Sequence, residues 1–160
     1  MRARILDGLA VATAIREELK PRSAAVRERL GRPPGLGIVL AGHDPASEIY
    51  VRNKLKSAEE AGIHAELVRI DEAAPVDAVL AAVTGLNGRA DIDGLIVQSP
   101  LPDGMGADAE ARVIDAIDPG KDVDGFTPEN VGRLVQNRPA LVACTPSGVL
   151  ELPDRAGIEI

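Results

Sequence analysis

The sequence is poor in aromatic residues and in cysteine. It has no tryptophan, one tyrosine (Tyr50), one phenylalanine (Phe126) and one cysteine (Cys144). A single cysteine excludes an internal disulfide framework. Because aromatic residues are so rare here, each of the two is a candidate for a specific task. The length of 160 residues favours one domain with a continuous core over two domains of typical size.

The sequence also lacks a basic patch and a long apolar run. Its net charge of −7 is spread along the chain, which argues against a nucleic-acid or anionic-membrane partner. No run approaches the roughly 18 apolar residues that a membrane span needs. The start of the chain lacks the apolar stretch of a signal peptide. We therefore expect a soluble, cytoplasmic protein.

The most informative stretch is a predicted helix between Asp44 and Gly62. Asp44 can cap the helix, Pro45 suits its first position, and Gly62 can end it in the left-handed conformation. Helical spacing predicts an apolar stripe and, within roughly 60° of one another beside it, a polar strip. The stripe consists of Val51, Leu55 and Ala58, and the strip of Ser47, Tyr50 and Lys54.

A lysine next to an apolar stripe is a candidate for proton transfer. Where water is partly excluded, the charged form of Lys54 would be disfavoured, and one ligand could touch Ser47, Tyr50 and Lys54 together. The same spacing is more often found on a solvated helix whose lysine extends into water. Spacing alone leaves both interpretations open.

Short apolar runs alternate with amphipathic segments along the rest of the chain. The runs at 36–41, 65–70 and 94–98 predict buried strands. Helices are predicted over 11–30 with a disturbance at Pro21, and over 75–86, 108–117 and 128–135. A last helix is expected with Thr145 as its N-cap and an interruption at Pro153, and 157–160 resembles the approach to a further strand.

This alternation predicts an α/β domain of three layers, with a mainly parallel sheet flanked by helices. Ligands of such sheets bind outside the carboxyl ends of the strands. The segments 42–45 and 98–102 follow two of the predicted strands. We therefore expect them to face one cleft.

Two nucleotide-binding patterns were tested and set aside. Residues 104–109 match the dinucleotide pattern G-x-G-x-x-A, but Pro100 and Pro102 separate them from the preceding strand, where the fingerprint needs an immediate tight turn. Tyr50 and Lys54 have the spacing of the short-chain dehydrogenases, yet no glycine-rich loop precedes them. The sequence therefore predicts no cofactor-binding residues.

No metal site is predicted either. The run from Asp122 to Gly125 has the start of a calcium loop but lacks the later glutamate ligand. His43 and His64 have no partners at metal-ligand spacing, and Cys144 has no histidine nearby in the sequence. Ordinary structural roles are expected for these three residues.

Several segments together carry a resemblance to one family, in that family's order. They include Ile5-Leu-Asp-Gly8, residues 44–56 with 59–63, Asp93-Gly-Leu-Ile-Val-Gln-Ser-Pro-Leu-Pro102, Lys121-Asp-Val-Asp-Gly-Phe126 with 130–134, and Cys144-Thr-Pro-Ser-Gly148. Over nearly its whole length the chain resembles the bifunctional methylenetetrahydrofolate dehydrogenase/methenyltetrahydrofolate cyclohydrolases.

The resemblance implies roles for individual residues. Lys54 matches the catalytic lysine of methenyl hydrolysis, Gln98 the glutamine that hydrogen-bonds near it, and Asp124 the carboxylate that holds the pterin. Tyr50 matches the aromatic residue that stacks on the folate ring. The predicted catalytic residues are thus Lys54, Gln98 and Asp124, and the predicted substrate contacts are Ser47, Tyr50, Val51, Arg52, Asn53, Val97, Ser99 and Pro100.

The resemblance also implies a reaction and a domain organisation. Family members interconvert 5,10-methylene-, 5,10-methenyl- and 10-formyltetrahydrofolate, use NADP, continue into a Rossmann domain and are commonly homodimers. This sequence ends before such a domain, so we expect residues 1–160 to be a folate-binding catalytic domain without an NADP site, largely monomeric by itself. The alternative is a non-catalytic module that binds folate or a partner through the same cleft.

Overall fold

A computed structural model describes residues 5–159. Its centre is a parallel sheet of three strands in the order β2-β1-β3. The strands are β1 (Gly35–Ala41), β2 (His64–Ile70) and β3 (Gly94–Gln98). The central strand β1 is buried along nearly its whole length, as its continuous apolar run predicts. The predicted strands and their parallel arrangement are confirmed.

Helices cover the sheet and extend beyond it. They are α1 (Gly8–Leu30), α2 (Pro45–Glu60), α3 (Val76–Asn87), α4 (Ala109–Ala116), α5 (Pro128–Val135) and α6 (Cys144–Arg155), with a short 3₁₀ turn at Asp103–Met105. No helix within residues 5–159 is long and apolar enough to cross a membrane. The α/β architecture follows the prediction.

The core is divided between the two faces of the sheet because successive side chains of β1 point in opposite directions. Ile38 and Leu40 face α2 and pack with Val51. Val39 and Ala41 belong to the larger cluster on the other face, which α3 and α4 complete. The predicted apolar stripe of α2 is therefore the surface that covers one face of the sheet.

Helices α1 and α6 differ in detail from the predictions. Helix α1 begins earlier, at Gly8, because the carboxylate of Asp7 accepts hydrogen bonds from the amides of Leu9 and Ala10, and it continues through Pro21. Pro21 has no amide hydrogen, so the helix loses one backbone hydrogen bond there. The carbonyl group that would accept it can face water on this exposed helix.

Helix α6 begins at Cys144 with Ala143 as its N-cap, so the predicted cap at Thr145 is wrong. Pro146 falls in the first turn, where amides have no partner within the helix. The predicted interruption at Pro153 is also wrong: the helix continues to Arg155 and loses there only the one backbone hydrogen bond that the proline nitrogen cannot donate. Residues 157–159 contain a turn and no strand, and Ile160 lies outside the described residues.

Candidate active site

Helix α2 carries the first predicted site residues, and its cap is the one the sequence predicts. The Asp44 carboxylate accepts a hydrogen bond from the amide of Ser47 at 2.7 Å, and Gly62 follows the helix in the left-handed conformation. With Val51 buried against the sheet, Lys54 is half-buried and Tyr50 is 62% exposed. The aromatic ring is therefore free to meet a ligand.

Lys54 meets a residue from the end of β3. Its Nζ donates a hydrogen bond to Oε1 of Gln98 at 3.0 Å. The Gln98 side chain is buried, and its Nε2 donates to the backbone oxygen of Ser99 at 2.6 Å. Because the amide nitrogen is engaged by the backbone, the amide oxygen faces Lys54. Gln98 thus holds the ammonium group from one side.

Asp124 lies within the electrostatic reach of Lys54. Burial raises the pKa of its carboxyl group; the positive charge of Lys54 opposes that rise, and the negative charge of Asp122 adds to it. The structure thus brings together the three residues that the sequence predicts to be catalytic, from α2, from β3 and from the loop after α4. An amino group, an amide and a carboxyl group thus share one region.

Two further residues lie beside this group. The thiol of Cys144 is 3.7 Å from the backbone oxygen of Val123. Burial raises the pKa of the thiol, and Asp124 adds to that rise while Lys54 opposes it. The structural role expected for Cys144 did not anticipate this position, although the segment 144–148 is part of the family resemblance.

Phe126 is the second residue without a predicted role at the site. It lines a small pocket together with Val97, Ser99 and Asp124 on the α4 side of β3. The cavity volume of about 20 Å³ is enough for a water molecule and too small for a pterin ring. Two sequence signals could have marked Phe126: its rarity as an aromatic residue and its place in the segment Lys121-Asp-Val-Asp-Gly-Phe126 of the family resemblance.

The remaining predicted contacts differ in exposure. Ser47 and Val51 are buried, and Val51 packs in the core with Ile38 and Leu40. Val97 is half-buried. The exposed residues of the set are Arg52, Asn53, Ser99 and Pro100. Contacts of all these residues with a substrate stay predictions.

The two loops expected to share a cleft do so. Ala41 at the end of β1, residues 42–45 after it and residues 100–103 after β3 line one open depression of about 420 Å³ at the carboxyl ends of the strands. The peptide bond between Ser99 and Pro100 is cis. The topology thus places a cleft where ligands of parallel sheets bind.

The glycine pattern at 104–109 does not form a nucleotide site. The 3₁₀ turn Asp103–Met105 separates β3 from α4, so no strand turns directly into a helix over these glycines. These residues do not fit the pyrophosphate of NADP. Within residues 5–159, no three histidine, cysteine, aspartate or glutamate side chains are grouped as a metal ion would need.

Comparison with known proteins decides the family. Residues 6–124 match the model of the tetrahydrofolate dehydrogenase/cyclohydrolase catalytic domain. The chain belongs to the tetrahydrofolate dehydrogenase/cyclohydrolase family. The bifunctional protein FolD of Solibacter usitatus is 52% identical over 157 residues, which are 98% of this chain and 50% of that protein.

Solved structures of this family share the fold. The 5,10-methylenetetrahydrofolate dehydrogenase of the silkworm Bombyx mori is 40% identical with a TM-score of 0.92, over 98% of this chain and 53% of that one. The Trypanosoma brucei dehydrogenase-cyclohydrolase, solved with NADP and an inhibitor, is 35% identical with a TM-score of 0.91. This match covers 100% of this chain and 54% of that one. The chain spans about half the length of the relatives it matches.

Proposed function

We propose that this chain is the folate-binding catalytic part of an enzyme that interconverts 5,10-methylene-, 5,10-methenyl- and 10-formyltetrahydrofolate, and that it carries the residues of the cyclohydrolase step. The observation that supports this most directly is the 3.0 Å hydrogen bond between Lys54 and Gln98 beside Asp124. Family membership supplies the substrate class.

The chemistry of the site suits hydrolysis of the methenyl group. Water adds to the methenyl carbon and loses one proton, which leaves a hydroxyl group on that carbon. The bond from the carbon to one ring nitrogen then breaks as the nitrogen takes up a proton and the hydroxyl group loses its own, so the formyl group stays on the other nitrogen and one proton is released overall. Lys54, when neutral, accepts the first proton and can return one. Gln98 holds the Nζ close to the reacting carbon.

The other site residues bind the folate in this proposal. Tyr50 offers an exposed ring on which the fused pterin stacks. The Asp124 carboxylate accepts hydrogen bonds from the N–H groups at the pterin edge. Ser47, Val51, Arg52, Asn53, Val97, Ser99 and Pro100 are proposed to line or support the same site.

The NADP-dependent step of full-length relatives requires a nucleotide site, which residues 104–109 do not supply. NADP is therefore proposed as the cofactor of the full-length relatives, and residues 104–109 are not proposed to bind it. Four statements stay predictions from the sequence: that full-length family members form homodimers, that this 160-residue chain is largely monomeric, that it is cytoplasmic, and that it has no nucleic-acid partner.

The test is the loss of methenyltetrahydrofolate absorbance in a buffer in which spontaneous hydrolysis is slow. Lys54→Met is compared with Lys56→Met, a matched control because Lys56 lies on the same helix, is exposed and pairs with Glu60 at 3.9 Å. We expect Lys54→Met to lose turnover and Lys56→Met to keep it, with circular dichroism unchanged in both. Turnover in a folded Lys54→Met chain would defeat the assignment.

The second candidate is a module that binds folate without turnover. It is favoured by the exposure of Tyr50, because a site open to water has weaker polar contacts than a closed one. A chain that binds folate but hydrolyses no methenyltetrahydrofolate above background would support this candidate instead.

A further inference from the structure

Asp124 lies in the loop between α4 and α5, residues 117–127. The residues on both sides of Asp124 hold this loop in place. Lys121 Nζ donates to the backbone oxygens of Asn87 and Arg89, each at 2.7 Å, and to that of Leu86 at 3.3 Å. These carbonyls lie at the end of α3, where a positive charge is favourable. The amide of Leu95 in β3 also donates to the Lys121 backbone oxygen at 2.7 Å. The start of the loop is therefore held by a helix and a strand.

Asp122 anchors the loop to α5. Its side chain is 1% exposed, and its carboxylate accepts hydrogen bonds from the amide of Thr127 at 2.8 Å and from Nδ2 of Asn130 at 3.0 Å. Asn130 Nδ2 also donates to the backbone oxygen of Pro119 at 2.9 Å. Burial alone would raise the pKa of Asp122, but these hydrogen bonds outweigh burial and lower it. The buried carboxylate is thus charged and satisfied.

The two neighbours of Asp124, Val123 and Gly125, are both closely packed. A Cβ atom at Gly94 would lie 2.6 Å from Val123 Cγ1, so Val123 occupies the space that Gly94 leaves. Gly125 has a φ of 67°, and a Cβ atom there would lie 2.8 Å from the Leu141 backbone oxygen. The carboxyl group of Asp124 lies within the electrostatic reach of Lys54, whose positive charge opposes the rise of its pKa.

We propose that Asp122 and Asn130 are positioning residues that set where the Asp124 carboxyl group lies relative to Lys54 and the folate. Asn130 donates hydrogen bonds to both Asp122 and the Pro119 carbonyl, so two points of the loop before Asp124 are fixed to α5. The inference rests on the proposed function, because it takes Asp124 as the carboxylate that binds the pterin. A displaced carboxylate loses hydrogen-bond geometry with its ligand and therefore affinity.

A double-mutant cycle tests this inference on the 160-residue chain. The affinity for 5-formyltetrahydrofolate, a folate that the chain does not have to turn over, is measured for the original chain, Asn130→Ala, Asp124→Asn and the double variant. We expect Asn130→Ala to weaken binding on the order of 10-fold when Asp124 is present and less than about 2-fold in the Asp124→Asn background. A purely structural loss would be the same in both backgrounds.

Two further variants serve as a second probe and a control. Asp122→Asn keeps the shape of the side chain and both acceptor contacts through its amide oxygen, and we expect a smaller loss of affinity, about 3-fold. Glu129→Ala changes the neighbouring exposed residue of α5, which pairs with Arg133, and we expect no change in affinity. Thermal unfolding, followed for each variant, sets an assay temperature at which all are folded.

The outcomes separate the inference from the proposed function. If Asp124→Asn weakens binding but Asn130→Ala and Asp122→Asn have no effect, or equal effects in both backgrounds, the positioning role is overturned and the folate role of Asp124 stands. If the original chain binds no folate, or if Asp124→Asn binds folate as tightly as the original chain, Asp124 has no folate role. The inference that depends on that role then fails as well.

Discussion

The Nζ atom of Lys54 lies 3.0 Å from Oε1 of Gln98, although the two residues are 44 positions apart in the chain. Lys54 comes from the helix that follows β1, and Gln98 is the last residue of β3. They meet because β3 pairs with β1, which places Gln98 opposite Leu40 on the face that α2 covers. The contact is thus a consequence of strand order.

Replacing Gln98 with leucine should show how much activity depends on the hydrogen bond that holds Lys54 in place, because the lysine itself is kept. The substitution keeps the approximate volume but removes the oxygen that accepts the lysine hydrogen bond. We expect methenyl hydrolysis to fall by about 10- to 100-fold, because a small misplacement of a reacting group has a large effect on rate. Turnover is measured by absorbance beside Gln136→Leu, an exposed glutamine at the end of α5. Full activity of Gln98→Leu would show that the lysine needs no such partner.

Tyr50 should contribute to folate affinity through its ring and not through its hydroxyl group. We expect Tyr50→Ala to weaken folate binding by about 3- to 10-fold and Tyr50→Phe to leave it unchanged, since an aromatic contact contributes roughly 0.5–1.5 kcal/mol. The ring is 62% exposed, so the free energy of unfolding should change by less than about 0.5 kcal/mol. Ile49→Ala, at a 54% exposed neighbour, is the control. A folate affinity that Tyr50→Ala leaves intact would exclude stacking.

Folate binding should weaken in acid through Asp124. Its pKa is raised by burial, with Lys54 opposing the rise and Asp122 adding to it. Protonation turns one of the two acceptor oxygens into an O–H donor, which does not suit the N–H groups of the pterin edge. Affinity should therefore fall as the pH is lowered through this raised pKa, at a higher pH than an ordinary aspartate would require. The dissociation constant is measured across pH for the original chain and for Asp124→Asn. Parallel profiles would assign the titration to another group.

The same carboxyl group should reduce stability at neutral pH. A folded-state pKa above the unfolded value means that the charged form is disfavoured by folding, so its cost is present at neutral pH and disappears as the group is protonated. We expect Asp124→Asn to raise the midpoint of thermal unfolding at pH 7 and to lose that advantage in acid. A lower midpoint at pH 7 would show that the charge of Asp124 stabilises the fold, for example through Lys54.

Replacing Gly35 and Gly85 with alanine should change the free energy of unfolding in opposite directions. A Cβ atom at Gly35, the first residue of β1, would lie 1.9 Å from the backbone oxygen of Asp91, whereas nothing lies within 4 Å of one at Gly85 inside α3. Gly35→Ala should therefore lower the free energy of unfolding by about 3 kcal/mol, and Gly85→Ala should raise it by about 0.5–1 kcal/mol. Urea unfolding measures both. Equal effects would mean that the strand end at Gly35 adjusts without strain.

Local signals in the sequence were sufficient for most of the fold. Asp44 and Gly62 bound α2 as their capping chemistry predicts, and the apolar runs are the strands. The same local reasoning was wrong for α6, where Thr145 is a good capping residue by type but lies inside the helix. Cap preferences are worth only about 1 kcal/mol, so the packing and hydrogen bonds around Ala143 can shift a helix start by two residues.

By itself the sequence determined the phase of α2, the three buried strands and, through the combined motifs, the family. These features follow from caps, spacing and side-chain type, which act over a few residues. The family resemblance implied that Gln98 lies near Lys54, but only the tertiary structure showed their direct hydrogen bond. It alone also decided that Asp122 is buried against Asn130 and that Cys144 and Phe126 lie beside Asp124. Those contacts join residues from separate elements, and their existence depends on strand order and packing that no short stretch of sequence encodes.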